Sequence, residues 1–579
     1  MQKATILPAA RRFQLPGGLI PRLHKPSFLT VFGAAVAGLM LLPLAYLLLR
    51  AVGAGQDGLD YLLRERTAQI MWNSLVLVVT VTAAAGLIGV PFAWLTARTD
   101  LPYRRVWLVL GLLTMVIPSY LGAVTYVAMF GPKGMLQGWL EALIGLERLP
   151  DIRGWFGAWL SITLITFPFV TLPVRAALLN ADPALEEAAR SLGLSRWQVF
   201  RRVMLPQLRP ALAAGLLVTA LYTLSDFGAV AVMRYNAFTR AIFLQYTSSF
   251  NRENAAVLAL VLVAITLILI YMEQRAQAQR RNYRIGTGAR RQLRTVRLGR
   301  WRWPALLFCG ALVTLGVLVP VAVLVAWLTG RVMISTIEVD MAQLTLNTVG
   351  VSALAAVVVA LVALPLALMA VRSNARWGRW LVGLSYTGNV LPGIVIALAL
   401  VFFAANYLPA WYQTVPLLVL GYAVRFLPLS ISATRGALTQ INPRLEEAAR
   451  GLGLRPWQVT ARVTVPLARA GIAAGAALVF LSAMKELPTT LVLAPIGLNT
   501  LATRIWTVYQ EATLVLVGGP GLLLMALSAL GLWIILRREQ QQAPLTIRLP
   551  RLPLIQPIVH RSQRVKTWCL AVLLHFLNL

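Results

Sequence analysis

An all-α polytopic membrane protein, built as two tandem copies of one helical unit, is the fold class this sequence predicts. Three observations predict it: apolar runs long enough to cross a bilayer, basic residues gathered in alternate connections, and self-similarity between the two halves. Of 579 residues 58% are hydrophobic and only 13% charged, with a mean hydropathy of +0.72. Soluble chains average about 25% charged residues, so a soluble, disordered or collagen-like chain is excluded. Two cysteines, Cys309 and Cys569, make no disulfide framework or thiolate metal site, and three histidines make no His-rich one.

A hydrocarbon core about 30 Å thick takes about 20 apolar residues in helix. Twelve stretches reach that length, near 28–49, 71–95, 106–130, 157–178, 211–233, 255–272, 304–328, 347–371, 380–404, 412–434, 470–494 and 514–536. Backbone groups in the bilayer core must bond to one another, so each stretch is expected to be a helix. The first exceeds the roughly 7–15 apolar residues of a secretory signal and is expected to remain as an uncleaved helix. Pro91, Pro118, Pro365 and Pro392 are expected to kink their helices. Trp72, Trp107, Trp159, Trp411 and Tyr412 stand where interfacial anchors belong.

With the N-terminus inside, the segments 1–26, 96–105, 175–209, 273–303, 372–379, 435–469 and 537–579 share one side. They hold 40 of the 53 lysines and arginines, against 12 on the other side and Arg425 within a helix. The positive-inside rule then places both termini in the cytoplasm. It also explains most of the net charge of +33. The basic residues are spread over every inner connection without an aromatic stacking platform, so no nucleic-acid partner is expected. The expected organisation is a cytoplasmic tail (1–26), a first repeat (27–272), a basic linker (273–303), a second repeat (304–537) and a basic tail (538–579). The apolar run 567–579 is too short to span, and is expected either on the inner membrane face or as an unstructured tail.

The repeat is clearest in one inner connection. Residues 182–210, DPALEEAARSLGLSRWQVFRRVMLPQLRP, match residues 442–470, NPRLEEAARGLGLRPWQVTARVTVPLARA, at an offset of 260. Upstream the offset is 274, pairing Asn73 with Asn347, Pro91 with Pro365 and Pro118 with Pro392; an extra outer loop near 131–156 accounts for the difference. Six helices per half is an even number, so the repeats are expected to be parallel. Within the connection, Asp182 before Pro183 reads as a helix start. Gly193 reads as a C′ glycine. Ser195 with Gln198 resembles a capping box opening a second short helix, 196–203, stopped by Pro206. Asn442, Gly453 and Pro456 repeat the plan. Two such knobs suit a symmetric two-subunit partner.

Glu187-Ala188-Ala189, Gly193, Val203 and Leu205-Pro206, with Glu447-Ala448-Ala449, Gly453, Val463 and Val465-Pro466, resemble the "EAA" loop of binding-protein-dependent ABC importer permeases. The resemblance covers about residues 70–275 and 345–537. It implies an inner-membrane translocation pore of a bacterial cell, EAA helices docked on two copies of a cytoplasmic ATPase, and a periplasmic binding protein that delivers the solute. ATP would be bound by that partner, and no cofactor is expected in this chain, which has no G-x-x-x-x-G-K-[ST] loop. A fused pair of permease domains resembles the ferric-iron or the thiamine branch. Met484-Lys485-Glu486-Leu487-Pro488-Thr489-Thr490-Leu491, Thr500–Trp506, Arg425-Phe426-Leu427-Pro428 and Arg98-Thr99-Asp100-Leu101-Pro102 are similar to the ferric-iron type. An ion-coupled secondary transporter would not need twin EAA loops, and no nucleophile–base pair or metal cluster supports a membrane enzyme.

Ionisable groups at bilayer depth are costly and are usually buried or face water. Asp226 is expected deep in the fifth helix, Lys485 and Glu486 at the matching depth of the eleventh, and Arg425 midway along the tenth. Asp226 and Glu486 coincide at the 260 offset. One reading puts these four residues on the translocation pathway. The other makes Arg425 and Glu486 a structural ion pair. Two carboxylates without nearby His, Tyr or Cys clusters do not make a tight metal site, so no metal ligands are assigned.

Overall fold

The computed structural model describes residues 28–181, 183–249, 252–278, 295–330, 340–373, 376–389 and 391–542. The N-terminal tail, Asp182, most of the linker and the C-terminal tail with its apolar run lie outside the described residues.

Among the described residues the regular structure is helical apart from one isolated bridge, Thr99 with Val296. Ten helices among the described residues are long and apolar enough to cross a membrane, or eleven if one bent pair counts as a span. These ten correspond to ten of the twelve apolar stretches. The fifth and eleventh end early, at Ser225 and Met484, and a short helix follows each; the third and ninth are not single spanning helices. Arg104–Val116 meets Ser119–Ile144 at 100°, and Arg376–Leu384 is separated from Gly393–Tyr407. The breaks fall at Pro118 and Pro392, which are extended (ψ 147° in both) and stand at the N-cap of the helix that follows. Proline also drives the preceding residue out of helix, and Ile117 has ψ 120°. Pro91 and Pro365, by contrast, lie inside unbroken helices.

Eight helices in each half position the loops and the buried charges. In the first they are α1 (Phe28–Gly53), α2 (Glu65–Arg98), α3 (Ser119–Phe130), α4 (Trp155–Asn180), α5 (Pro183–Ser191), α6 (Leu205–Ser225), α7 (Phe238–Thr247) and α8 (Arg252–Ala278). Their counterparts are α9 (Val319–Gly330), α10 (Met341–Arg372), α11 (Gly393–Tyr407), α12 (Val415–Thr439), α13 (Pro443–Gly451), α14 (Val465–Met484), α15 (Leu501–Gln510) and α16 (Gly518–Gln542). Each half is centred on three mutually packed helices, α2, α4 and α6, or α10, α12 and α14. Small residues let these backbones approach. A Cβ on Gly215 of α6 would lie 2.7 Å from Val170 Cα of α4, and one on Gly475 of α14 would lie 2.9 Å from Ser430 Oγ of α12. Both glycines and both neighbours correspond at the 260 offset.

The first helix of each half packs on the other half. α1 lies against α10 and α11 as well as α8, and α9 lies against α3 as well as α16. Consequently the two large apolar cores are each shared. One joins Phe92, Tyr126 and Phe167 to Leu324, Trp327 and Leu524. The other joins Met40 and Leu258 to Ile394, Leu418 and Val479.

Candidate functional site

The two EAA connections share their backbone geometry. Gly193 and Gly453 have φ of +82° and +85°, a left-handed conformation that only glycine adopts without strain. Leu194 N donates to Ala189 O (3.2 Å) and Gly193 N to Arg190 O (2.9 Å); Leu454 and Gly453 repeat this onto Ala449 and Arg450 at the same distances. This pair of bonds is a Schellman end to α5 and α13. Ser195 and Gln198 form the reciprocal cap, Ser195 N donating to Gln198 Oε1 (2.9 Å) and Gln198 N to Ser195 Oγ (3.3 Å). Asn442 Oδ1 accepts from Arg444 N (3.1 Å), and Gln458 Oε1 from Arg455 N (2.8 Å).

Pro206 does not stop the second helix. Arg196–Val199 runs through a π turn, Phe200–Met204, into α6, and Pro456–Val459 runs through Thr460–Thr464 into α14. The widened turn accommodates a residue that lacks an N–H and whose ring would crowd the carbonyl four residues back.

The motif residues divide by exposure. Glu187, Ala188, Glu447 and Ala448 are exposed, while Ala189 and Ala449 are buried. Beside them Leu185, Leu192 and Trp197, and equally Leu445, Leu452 and Trp457, are exposed apolar groups; Leu192 and Leu452 are 82% and 85% accessible. The preceding acids, Glu186 and Glu446, turn inward. Glu186 pairs with Arg98, the last residue of α2, and Glu446 pairs with Arg372, the last of α10, at 3.1 Å. Sequence reasoning did not assign this pair of contacts. Its signal was present, since Arg98 and Arg372 recur at the 274 offset and the two glutamates at 260.

Asp226 and Glu486 occupy corresponding places, but not within helices. Each follows the end of a long helix, α6 or α14, and precedes a short one, Gly228–Val232 or Pro488–Leu493. The expectation that they lie deep in continuous helices is corrected accordingly. Each carboxylate caps the short helix. Asp226 Oδ2 accepts from Ala229 N (2.8 Å), and Glu486 Oε1 from Thr489 N (3.3 Å) and Thr489 Oγ1 (2.7 Å). Glu486 Oε2 lies 3.3 Å from Arg425 Nε, midway along α12. The first half satisfies its acid differently: Ile165 stands in place of Arg425, and the Ser119 hydroxyl lies beside Asp226. Ser119 corresponds to Gly393, where a Cβ would strike Arg425 Nη1 and Glu486 Oε1. Lys485 turns away from this pair. Its Nζ donates to Met115 O of the other half at 3.2 Å. Among the described residues no group of three or more His, Cys, Asp or Glu could hold a metal ion.

The profile of the family described as "Binding-protein-dependent transport system inner membrane component" matches residues 89–281 and again 363–540. The Fe(3+)-transport system permease protein FbpB 2 of Haemophilus influenzae is 32% identical over 498 residues, covering 85% of this chain and 94% of that protein. The probable ABC transporter permease protein y4fN of Sinorhizobium fredii is 28% identical over 71% of this chain and 77% of its own length. The sulfate transport system permease protein CysW of Escherichia coli is 30% identical over 36% of this chain and 70% of its own. Two copies of one domain, each with the same capped and Schellman-ended loop, thus coincide with two matches to one family. The chain belongs to the binding-protein-dependent transport system inner membrane components, and is an ABC importer permease of the inner membrane with two permease domains in one polypeptide.

Proposed function

We propose that this chain forms the translocation pathway of a ferric-iron importer. The observation that carries the substrate is the similarity to FbpB 2, which extends through both halves, whereas the sulfate permease matches about one third of the chain. Repeats 27–272 and 304–537 enclose the path, and linker 273–303 with tails 1–26 and 538–579 lies in the cytoplasm. A periplasmic binding protein delivers the ion. Two copies of a cytoplasmic ATPase dock on the EAA loops, where Leu185, Leu192 and Trp197, and Leu445, Leu452 and Trp457, present an apolar face. Glu187, Ala188, Ala189 and Gly193, with Glu447, Ala448, Ala449 and Gly453, shape that face. ATP is bound and hydrolysed by the partner. Asp226, Arg425, Lys485 and Glu486 border the path, where they hold the helix breaks in place.

The test is reconstitution in proteoliposomes with the partner ATPase and binding protein. ATP-dependent accumulation of radiolabelled iron is expected, with sulfate and thiamine at background. Uptake of sulfate or thiamine without iron would overturn the assignment.

A further inference from the structure

We propose that α2 and α10 are rods that carry the movement of each EAA loop to the opposite end of the bundle, and that Arg98–Glu186 and Arg372–Glu446 are the positioning residues that latch loop to rod. The proposal rests on the reading of those loops as ATPase docking sites.

Both carboxylates and Arg98 are buried, Arg372 is part-buried, and each latch has more than one contact. Arg98 is 4% exposed and donates to Glu186 and to Leu178 O at the end of α4 (3.5 Å). Arg372 donates to Glu446 Oε1 from Nε (3.2 Å) and Nη2 (3.1 Å), and to Ile441 O (3.2 Å). Thr464 Oγ1 adds a further bond to Glu446, at 3.1 Å. A desolvated carboxylate stays with its cation because leaving it is unfavourable, so the loop moves with the end of its rod.

The rods run through without a break. Twenty-five residues separate Arg98 from Asn73, and the same number separate Arg372 from Asn347; this is about 38 Å of helix, enough to cross the hydrocarbon core. α6 and α14 join the loops more directly, but they end at Asp226 and Glu486.

At its far end each rod grips the start of a short helix. Asn73 Nδ2 donates to Asn236 O (3.2 Å) and Ser74 Oγ accepts from Phe238 N (3.0 Å), the first residue of α7. Asn347 Nδ2 donates to Asn499 O (2.9 Å) and Thr348 Oγ1 accepts from Leu501 N (2.9 Å), the first residue of α15. These short helices reach across to the other half. Tyr246 of α7 meets Phe402 of α11 with ring centres 5.5 Å apart. Tyr509 of α15 donates to Val232 O at 2.7 Å, and Trp506 packs on Phe227. Loop, rod and far-end residues recur at three different offsets (260, 274 and 263), yet the Arg–Glu pair and the two far-end hydrogen bonds are the same in both halves. Insertions have shifted the numbering without uncoupling the chain of contacts.

The experiment uses the full chain with its ATPase and binding protein, in a background lacking Cys309 and Cys569. Spin labels at Ser248 and Tyr407, both exposed, report the far seam between α7 and α11. Glu186→Gln with Glu446→Gln should retain ATPase binding but lose the ATP-driven distance change. The iron imported per ATP should fall about tenfold, within the usual range of coupling between sites. Exchanging the charges (Arg98→Glu with Glu186→Arg, and Arg372→Glu with Glu446→Arg) should restore both. A wild-type distance change and yield per ATP in the amide variant would overturn the proposal. So would a lower amount of folded chain with unchanged performance per complex. If the amides do not assemble, Arg98→Lys with Arg372→Lys is measured in the same way. A wild-type complex that fails to retain the ATPase overturns the docking reading itself, and an ATP-driven seam movement without iron uptake overturns the substrate alone.

Discussion

Ser119 and Gly393 hold corresponding positions, and the hydroxymethyl group that separates them decides how each half satisfies a buried acid. Ser119 places its hydroxyl beside Asp226, whereas the space at Gly393 is taken by the Arg425–Glu486 pair. Gly393→Ser should therefore destabilise the chain by about 1–3 kcal/mol through overpacking. Adding Arg425→Ile and Glu486→Asp rebuilds the first-half set and should recover the loss, as read by thermal unfolding in detergent. The two acids should also differ when neutralised singly. Glu486→Gln strands Arg425 and should cost about 3–5 kcal/mol, most of it recovered when Arg425 is also removed. Asp226→Asn keeps a capping oxygen and should cost less than about 1 kcal/mol. At the loops, Gly193→Val with Gly453→Val forces β-branched residues to a φ above +80°, a strain of about 1–3 kcal/mol each. Nothing lies within 4 Å of either added Cβ, so the effect belongs to the turn alone. Retained ATPase should fall while the yield of membrane-inserted chain stays near wild type. The equivalence of Asp226 and Glu486 was legible in the sequence because both are charged in apolar surroundings. The helix breaks they cap were not, because an acid in a long apolar run carries no sign of where the backbone turns.

Hydropathy identifies an element by its composition, and this explains which spans could be read directly. Eight apolar stretches are single helices because no residue in them forces the backbone out of helix at a critical place, while 211–233 and 470–494 turn near their ends at Asp226 and Glu486. Residues 106–130 and 380–404 are as apolar as the rest, but Pro118 and Pro392 start new helices there, and an averaged window does not register a turn. Pro206 misleads in the opposite direction: a π turn carries the helix past it. The EAA loops were legible in nearly every detail, since caps and C′ glycines are local and need no partner from elsewhere in the chain. The pairing of Arg98 with Glu186 spans 88 residues and depends on how α2 and α5 are packed. Close packing also makes a prediction at this scale. Gly215→Val and Gly475→Val place a Cβ under 3.2 Å from backbone atoms of α4 and α12. Each should cost at least about 1–3 kcal/mol, because backbone cannot yield as a side chain can. The measurement is the fraction of monodisperse chain after extraction, and a wild-type fraction in both variants would contradict the packing of α4 on α6 and of α12 on α14.

At the scale of the whole molecule, each half lends its first helix to the other, so covalent fusion is not what holds the halves together. α1 contributes Val36, Met40 and Leu47 to a core that includes Ile394, Leu398 and Leu418. The segment around α9 contributes Leu312, Val323 and Leu324 to a core that includes Tyr126, Val127 and Phe167. Tyr126 also donates to Leu315 O at 2.9 Å, and Lys485 to Met115 O, both across the boundary. The chain can therefore be cut between residues 285 and 286 and the pieces co-expressed. The halves should copurify in equal amounts and retain the ATPase, because every cross-half contact survives the cut. Removing residues 1–53 from the first piece should have its largest effect on the second, since α1 covers α10 and α11. Protease sensitivity of the 340–440 region should rise, while the α2–α4–α6 unit stays protected. If the split halves separate under mild extraction, the linker rather than the exchanged helices holds the permease together, and the shared cores are too weak to matter. If deleting α1 exposes only the first half, its packing against α10 and α11 contributes little to the fold.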